Sequence, residues 1–99
     1  MEKVYENALL IELKKLGLLV VAQFPIQVRY DGSVIGEYFA DVLVENQIIV
    51  EIKVAKTIGP EHEAQLLNYL KATSLEVGLI LNFGPKAEFK RTIFDNFRK

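Results

Sequence analysis

Asp41, Glu51 and Lys53 stand where a strand should be packing. The stretch from Phe39 to Ala55 reads FADVLVENQIIVEIKVA, two strand-like apolar runs joined by a turn, with two carboxylates and an ammonium inside them. Strand side chains alternate faces. Glu51 and Lys53 therefore share a face with Ile49, while Ile48, Val50, Ile52 and Val54 point the other way. Asp41 is expected on a face with Phe39 and Leu43. A three-residue loop, Glu45-Asn46-Gln47, sets Asp41 directly opposite Glu51. A two-residue loop sets it opposite Ile52, on the wrong face, because a slip of one residue turns every side chain over. A β-bulge changes the parity again.

If the three converge, the two carboxylates repel each other, and partial burial sharpens the repulsion. One lysine relieves only part of it. A divalent cation resolves it: Mg²⁺ is a hard ion that takes carboxylate oxygens, a backbone carbonyl and several waters. The carbonyl of Ile52, between the two side chains, is a further candidate ligand. A metal so held polarises a phosphate and activates a water. Lys53 beside it would orient or deprotonate that water, or stabilise charge on the phosphoryl oxygens. The competing reading is a solvated cross-strand ion pair. The apolar surroundings weigh against it, as does Asp in a strand. Burying the trio without a ligand is costly.

The elements that position these residues follow from periodicity. Residues 2–16 carry Tyr5, Leu9, Leu13 and Leu16 on one helical stripe, with Gly17 at the C-terminal end. Leu18 to Tyr30 reads as an edge strand, or two short ones, around Pro25. Asp31-Gly32-Ser33 is a turn. Val34–Glu45 and Gln47–Ala55 are the strands of the charged trio. A second helix is expected over 61–73, a buried strand over 75–83, and a tail element over 88–97 that is either helix or strand. The order α-β-β-β-α-β predicts a mixed α/β (α+β) fold: a four-stranded mixed sheet flanked by helices, with a parallel crossover from the third strand to the fourth.

Bulk properties exclude several classes. A chain of 99 residues is one domain, 1–99, by length. It has no cysteine, so there is neither a disulfide framework nor a thiolate metal site, and a cytoplasmic location fits. No apolar run is long enough for a membrane span, and the acidic start MEKVYENALL is not a signal peptide. The net charge of −1 means that any phosphate binding is local, or helped by a metal or a partner.

The residues resemble a known pattern. Asp41 followed by Glu51-Ile52-Lys53 on the next strand is similar to the PD-(D/E)XK nuclease superfamily, whose core has the same αβββαβ order. Gln65 to Tyr69 resembles the Q-x-x-x-Y motif of its RecB-like branch. Over nearly the whole chain, EKVYENAL, FADVLVENQIIVEIKV, EAQLLNYLKAT and GLILNFG resemble the small GxxExxY family. Glu2 and Tyr5 fit its E-x-x-Y, and the Gly would fall before residue 1. Phe39 stands where the superfamily name has Pro.

The resemblance implies a Mg²⁺- or Mn²⁺-dependent DNA nuclease. Asp41, Glu51 and the Ile52 carbonyl would bind metal, and Lys53 would be the catalytic base or charge stabiliser. Glu2 would be an auxiliary acid and Gln65 a positioning group. Tyr69 would touch nucleic acid; as a core aromatic beside Leu66 and Leu70 it has an equally plain explanation. Lys71, Lys86, Lys90 and Arg91 are candidates for phosphate contacts, along with Lys56, Arg98 and Lys99. The cluster over 86–99 is either a backbone-binding patch or a solvated face. His62 is expected to be exposed, without a catalytic role. The alternative function is a catalytically silent nuclease-fold module that binds nucleic acid or a protein. A homodimer built on the apolar GLILNF and the aromatic tail is a further expectation.

Overall fold

Gly17 and Gly59 bracket the secondary structure around the sheet. Gly17 is left-handed (φ 80) just past the first helix, α1 (Glu2–Lys15). Its N–H bonds the Lys14 carbonyl at 2.9 Å and the Leu18 N–H bonds Leu13 at 3.2 Å, the paired closure of a Schellman motif. Gly59 caps the second helix, α2 (Pro60–Lys71), which starts on proline. The Gly59 N–H donates to His62 Nδ1 at 3.0 Å, so His62 is a half-buried cap rather than the exposed residue expected. Between and after the helices run β1 (Val20–Tyr30), β2 (Ser33–Val44), β3 (Ile48–Lys53), β4 (Val77–Phe83) and β5 (Ala87–Ile93), then a 3₁₀ turn at Asn96–Arg98. The structure, a computed structural model, describes residues 1–99.

The five strands lie in the order β1-β2-β3-β4-β5, antiparallel except for the parallel pair β3–β4 that α2 connects. The expected four-stranded sheet is thus corrected to five. The tail that sequence left between helix and strand is β5, which pairs with β4 from Phe83↔Ala87 to Val77↔Ile93. Without it the outer edge of β4 would carry unpaired N–H and C=O groups. The helices cover opposite faces. Tyr5, Leu9, Leu10 and Leu13 of α1 pack on Val42, Val44, Val50 and Ile52. Leu66, Tyr69 and Leu70 of α2 pack on Leu43, Ile49 and Ile80, with Ile26 and Ala40.

Strict alternation fails at Asp41. Ala40 lies in the core under α2 and Val42 in the core under α1, although residues two apart should share a face. On β1 the partners of these residues are Phe24 and Ala22, and Gln23 between them is left-handed (φ 54). Phe39, expected on a buried face with Leu43, is consequently 55% exposed. A left-handed backbone at a residue with a side chain costs on the order of 1–2 kcal/mol. The Gln23 amide offsets it by donating at 2.9 Å to the buried Glu6 of α1, which also takes Lys3 at 2.7 Å.

Asn82 holds the segment after β3. Its Oδ1 accepts from the Ala55 N–H and its Nδ2 donates to the Ala55 carbonyl, both at 2.9 Å. Gly84 leaves no room for a Cβ against the same carbonyl. Asn82→Ala strips both partners from a buried peptide group, and urea unfolding should show a loss of about 2–4 kcal/mol; a loss under half a kcal/mol would mean that this clamp does not hold the segment.

Candidate active site

The β2–β3 register decides what the charged trio does. Val44 pairs with Ile48, Leu43 with Ile49 and Val42 with Val50, so Glu45, Asn46 and Gln47 form the three-residue loop that puts Asp41 across from Glu51. Glu45 and Asn46 are both left-handed. Glu45 is held there by reciprocal bonds with Leu19: its N–H donates to the Leu19 carbonyl at 2.7 Å and its carboxylate accepts the Leu19 N–H at 2.8 Å.

Beyond Val42 the regular ladder between β2 and β3 gives way to side chains. Asp41 Oδ2 accepts the Ile52 N–H at 2.7 Å, and Glu51 Oε2 accepts the Asp41 N–H at 3.3 Å. Each carboxylate is thereby anchored to the other strand's backbone. An extended residue directs its N–H and C=O to the same strand edge, so the Ile52 carbonyl also faces β2. Lys53 Nζ donates to Gln65 Oε1 of α2 at 3.5 Å. Asp41, Glu51, Ile52, Lys53 and Gln65 therefore come together.

Burial makes this pair electrostatically tense. Glu51 is only 4% exposed. Desolvation, hydrogen bonding with the Asp41 carboxyl and the Asp41 charge push its pKa up from 4.5 to about 9, against a lowering by the Asp41 N–H bond and then by Lys53. Tyr69, 5% exposed, is pushed up to about 12 by burial and then by the charges of Glu51 and Asp41. Its phenol thus senses the carboxylates across the helix–sheet interface, and its ring also belongs to the core. The donors suit a hard divalent cation: two carboxylates and one backbone carbonyl. No third Asp, Glu, His or Cys joins them.

Other expected residues lie apart. Glu2 is exposed on the first turn of α1, on the opposite face of the sheet from α2. The buried carboxylate of α1 is Glu6, and the sequence signalled it: Glu6, Leu9, Leu10 and Leu13 repeat at helical spacing on one face. The basic tail does not form one patch. Lys90 and Arg91 are successive residues of β5 and point to opposite faces. Lys90 pairs with Glu63 at 3.7 Å, and Lys99 bonds the Thr73 and Leu75 carbonyls at 2.7 Å. Lys86 sits in the β4–β5 turn, and Lys71 stands beside Phe94 with its Nζ 5.6 Å from the ring centre.

Comparison with known proteins bears on the family and the fold. The family model of the PD-(D/E)XK nuclease superfamily matches residues 1–92. No curated protein matches the sequence. Among solved structures, SSO0001 superimposes with a TM-score of 0.68 at 20% identity over 94% of this chain and 50% of that one. The chain thus spans half the length of that relative. Hjc, a Holliday junction resolvase from the archaeal hyperthermophile Archaeoglobus fulgidus, superimposes with a TM-score of 0.51 at 18% identity, over 90% of this chain and 72% of its own. At these identities the likeness is one of fold.

The Glu51 shift has a direct thermodynamic sign. In the unfolded chain the carboxyl ionises near 4.5, and in the folded protein near 9. The folded state binds more protons across that window, so metal-free stability is greatest at the acid end and falls as pH rises towards 9. Thermal unfolding in chelator between pH 5 and 9 should show this fall. Glu51→Gln should flatten it and stabilise the protein at pH 8 by on the order of 1–4 kcal/mol. An unchanged pH slope in the variant would show that Glu51 is not the titrating group.

Proposed function

The chain belongs to the PD-(D/E)XK nuclease superfamily, and from that premise we propose that it is a Mg²⁺- or Mn²⁺-dependent nuclease hydrolysing DNA phosphodiesters. The observation that carries this reading is the interlock of Asp41 and Glu51 across β2 and β3, with Lys53 on the same strand tied to Gln65. Members of the superfamily generally use divalent metal ions. Asp41, Glu51 and the Ile52 carbonyl would hold the ion here, and when bound it polarises the phosphate and acidifies the attacking water.

The chain's own groups do the rest. Gln65 holds the Lys53 ammonium at the edge of the carboxylate pair, where it meets charge developing on the phosphoryl oxygens or guides the proton leaving the water. Water forms the new P–O bond, one ester P–O bond breaks, and the departing alkoxide is protonated. Burial keeps Asp41 and Glu51 rigid, so the donors are fixed before substrate arrives. Lys71, exposed at the end of α2, reaches towards the nucleic acid, and Tyr69 borders the site from the core side of the helix. Lys86 and Arg91 act as separate backbone contacts rather than as a stripe, and Lys90 joins them only by leaving its Glu63 partner. Glu2, exposed on the α1 side of the sheet, takes no part in this step.

Two measurements test the reading. Calorimetry with Mn²⁺ should give about one or two ions per chain, lost in Glu51→Gln, with proton release as Glu51 ionises. Incubation with single-stranded, duplex and branched DNA should give metal-dependent cleavage that Lys53→Ala slows at least about 100-fold. Cleavage that persists in Lys53→Ala would point to a contaminating nuclease, and metal binding without cleavage of any DNA would sink the activity.

A further inference from the structure

The β1–β2 hairpin outruns the rest of the sheet. It pairs from Val20↔Val44 to Tyr30↔Ser33, whereas β3 meets β2 only over Val42–Val44. Everything past Asp41 is therefore a two-stranded arm. The parity break at Asp41 and Gln23 turns the Ile26 and Ala40 side of that arm towards α2. Between arm and helix lies a cavity of about 550 Å³.

The helix wall is built for vacancy. Ala64, Asn68 and Ala72 follow one another at a spacing of four and form one stripe along α2. Two of the three are alanines, so the helix surface is low there and the Asn68 amide stands in the gap. The arm wall is Tyr38, whose ring is 48% exposed. Gly36 leaves room for that ring: a Cβ on it would lie 3.0 Å from the Tyr38 ring. The inner end of the cavity is Gln65 and Tyr69, which also border the Asp41–Glu51–Lys53 site.

We propose that this cavity takes an unpaired nucleobase whose neighbouring phosphate lies at the Asp41–Glu51–Lys53 site, so that the substrate is DNA with a single-stranded or extruded nucleotide. The proposal rests on the nuclease reading and names its substrate class. A cavity of this volume accommodates a small ligand, and its chemistry is that of a flat heterocycle. Tyr38 presents a free aromatic face, on which any base stacks. The Tyr38 and Tyr69 rings are 6.1 Å apart and inclined at 44°, so they pack on each other and leave no slot for a base between them. The base lies on the part of the Tyr38 ring that lines the cavity, beside Asn68 rather than between the two rings. Asn68 offers a donor and an acceptor side by side, the pair that reads a base edge. Lys71, at the rim, supplies charge to the backbone. A base within a continuous duplex shows only its edge and cannot enter; an unpaired one can.

The experiment uses a short single strand carrying 2-aminopurine, the same strand with an abasic residue in its place, and the fully paired duplex, each titrated with protein in chelator. Quenching of the 2-aminopurine is expected in the single strand and not in the duplex. Affinity should fall roughly tenfold for the abasic strand, and as much in Tyr38→Ala and in Ala64→Leu, which fills the cavity from an exposed position. Circular dichroism checks that both variants are folded. Equal affinity for intact and abasic strands, no quenching, or full affinity in Ala64→Leu overturns the proposal. Repeating the set with Mn²⁺ separates it from the nuclease reading. Base-dependent binding without cleavage retains the pocket and removes the nuclease. Cleavage that Glu51→Gln abolishes but an abasic residue does not affect retains the nuclease and removes the pocket.

Discussion

The constraint on which the structure turns is the forced proximity of two carboxylates, Asp41 and Glu51, at the point where β2 and β3 stop pairing. Left to themselves the groups would separate or protonate. They are held because each accepts a backbone N–H from the opposite strand, 2.7 Å at Ile52 and 3.3 Å at Asp41. Side chains thus continue the hydrogen bonding that the main-chain ladder abandons beyond Val42↔Val50. The price is a Glu51 that stays protonated towards pH 9 in the metal-free protein. Cores on both faces of the sheet sustain that tension: Ile52 and Val50 are buried under α1, and Ile49 and Ile80 under α2.

The same locus explains why α1 matters to a site it does not enter. Reversal of the strand faces at Asp41 is matched on β1 by the left-handed Gln23, and Gln23 is tied through its amide to Glu6. A buried carboxylate on one side of the sheet therefore steadies the kink that aims a carboxylate on the other. Glu6 is itself charge-paired with Lys3, as a buried carboxylate must be. Without the reversal, Phe39 and not Ala40 would pack under α2, and a ring larger than alanine would have to fit beside Ile26 and Leu66.

Much of this was legible in the sequence, and what was not has a physical reason. The loop Glu45-Asn46-Gln47 fixes the register, so the Asp41–Glu51 pairing and the place of Lys53 follow from period two and a loop length. The parallel crossover follows from a helix between two apolar runs. Gln65, singled out by the resemblance, lies against Lys53. The fifth strand escaped because EFKRTIFDNF has neither a clean period of two nor of 3.6; β4 supplies the edge that organises it, and that edge is tertiary information. The basic residues over 86–99 are close in sequence but not all in space, because β5 sends Lys90 and Arg91 to opposite faces. His62 was read as free because a ring nitrogen capping Gly59 leaves no trace in spacing. The kink at Gln23 was unreadable, since nothing in VVAQFPIQV demands a left-handed residue; the Glu6 bond and the partner strand impose it.

A molecule with net charge −1 draws little from counterion release, the sequence-independent source of most nucleic-acid affinity. Lys90 and Lys99 are engaged within the protein, and Arg98 pairs with Asp95 while lying over the Phe94 ring. On the proposed reading what remains for recognition is local: a carboxylate pair whose repulsion a cation would relieve, one lysine steadied by Gln65, and a cavity between Tyr38 of the arm and the alanines of the α2 side. Such a surface gains more from a nucleotide that fits than from a duplex that merely attracts. The proposed function thus draws on the overhanging hairpin, because only beyond the carboxylates, where β3 no longer accompanies β2, does the sheet face α2 across an open space.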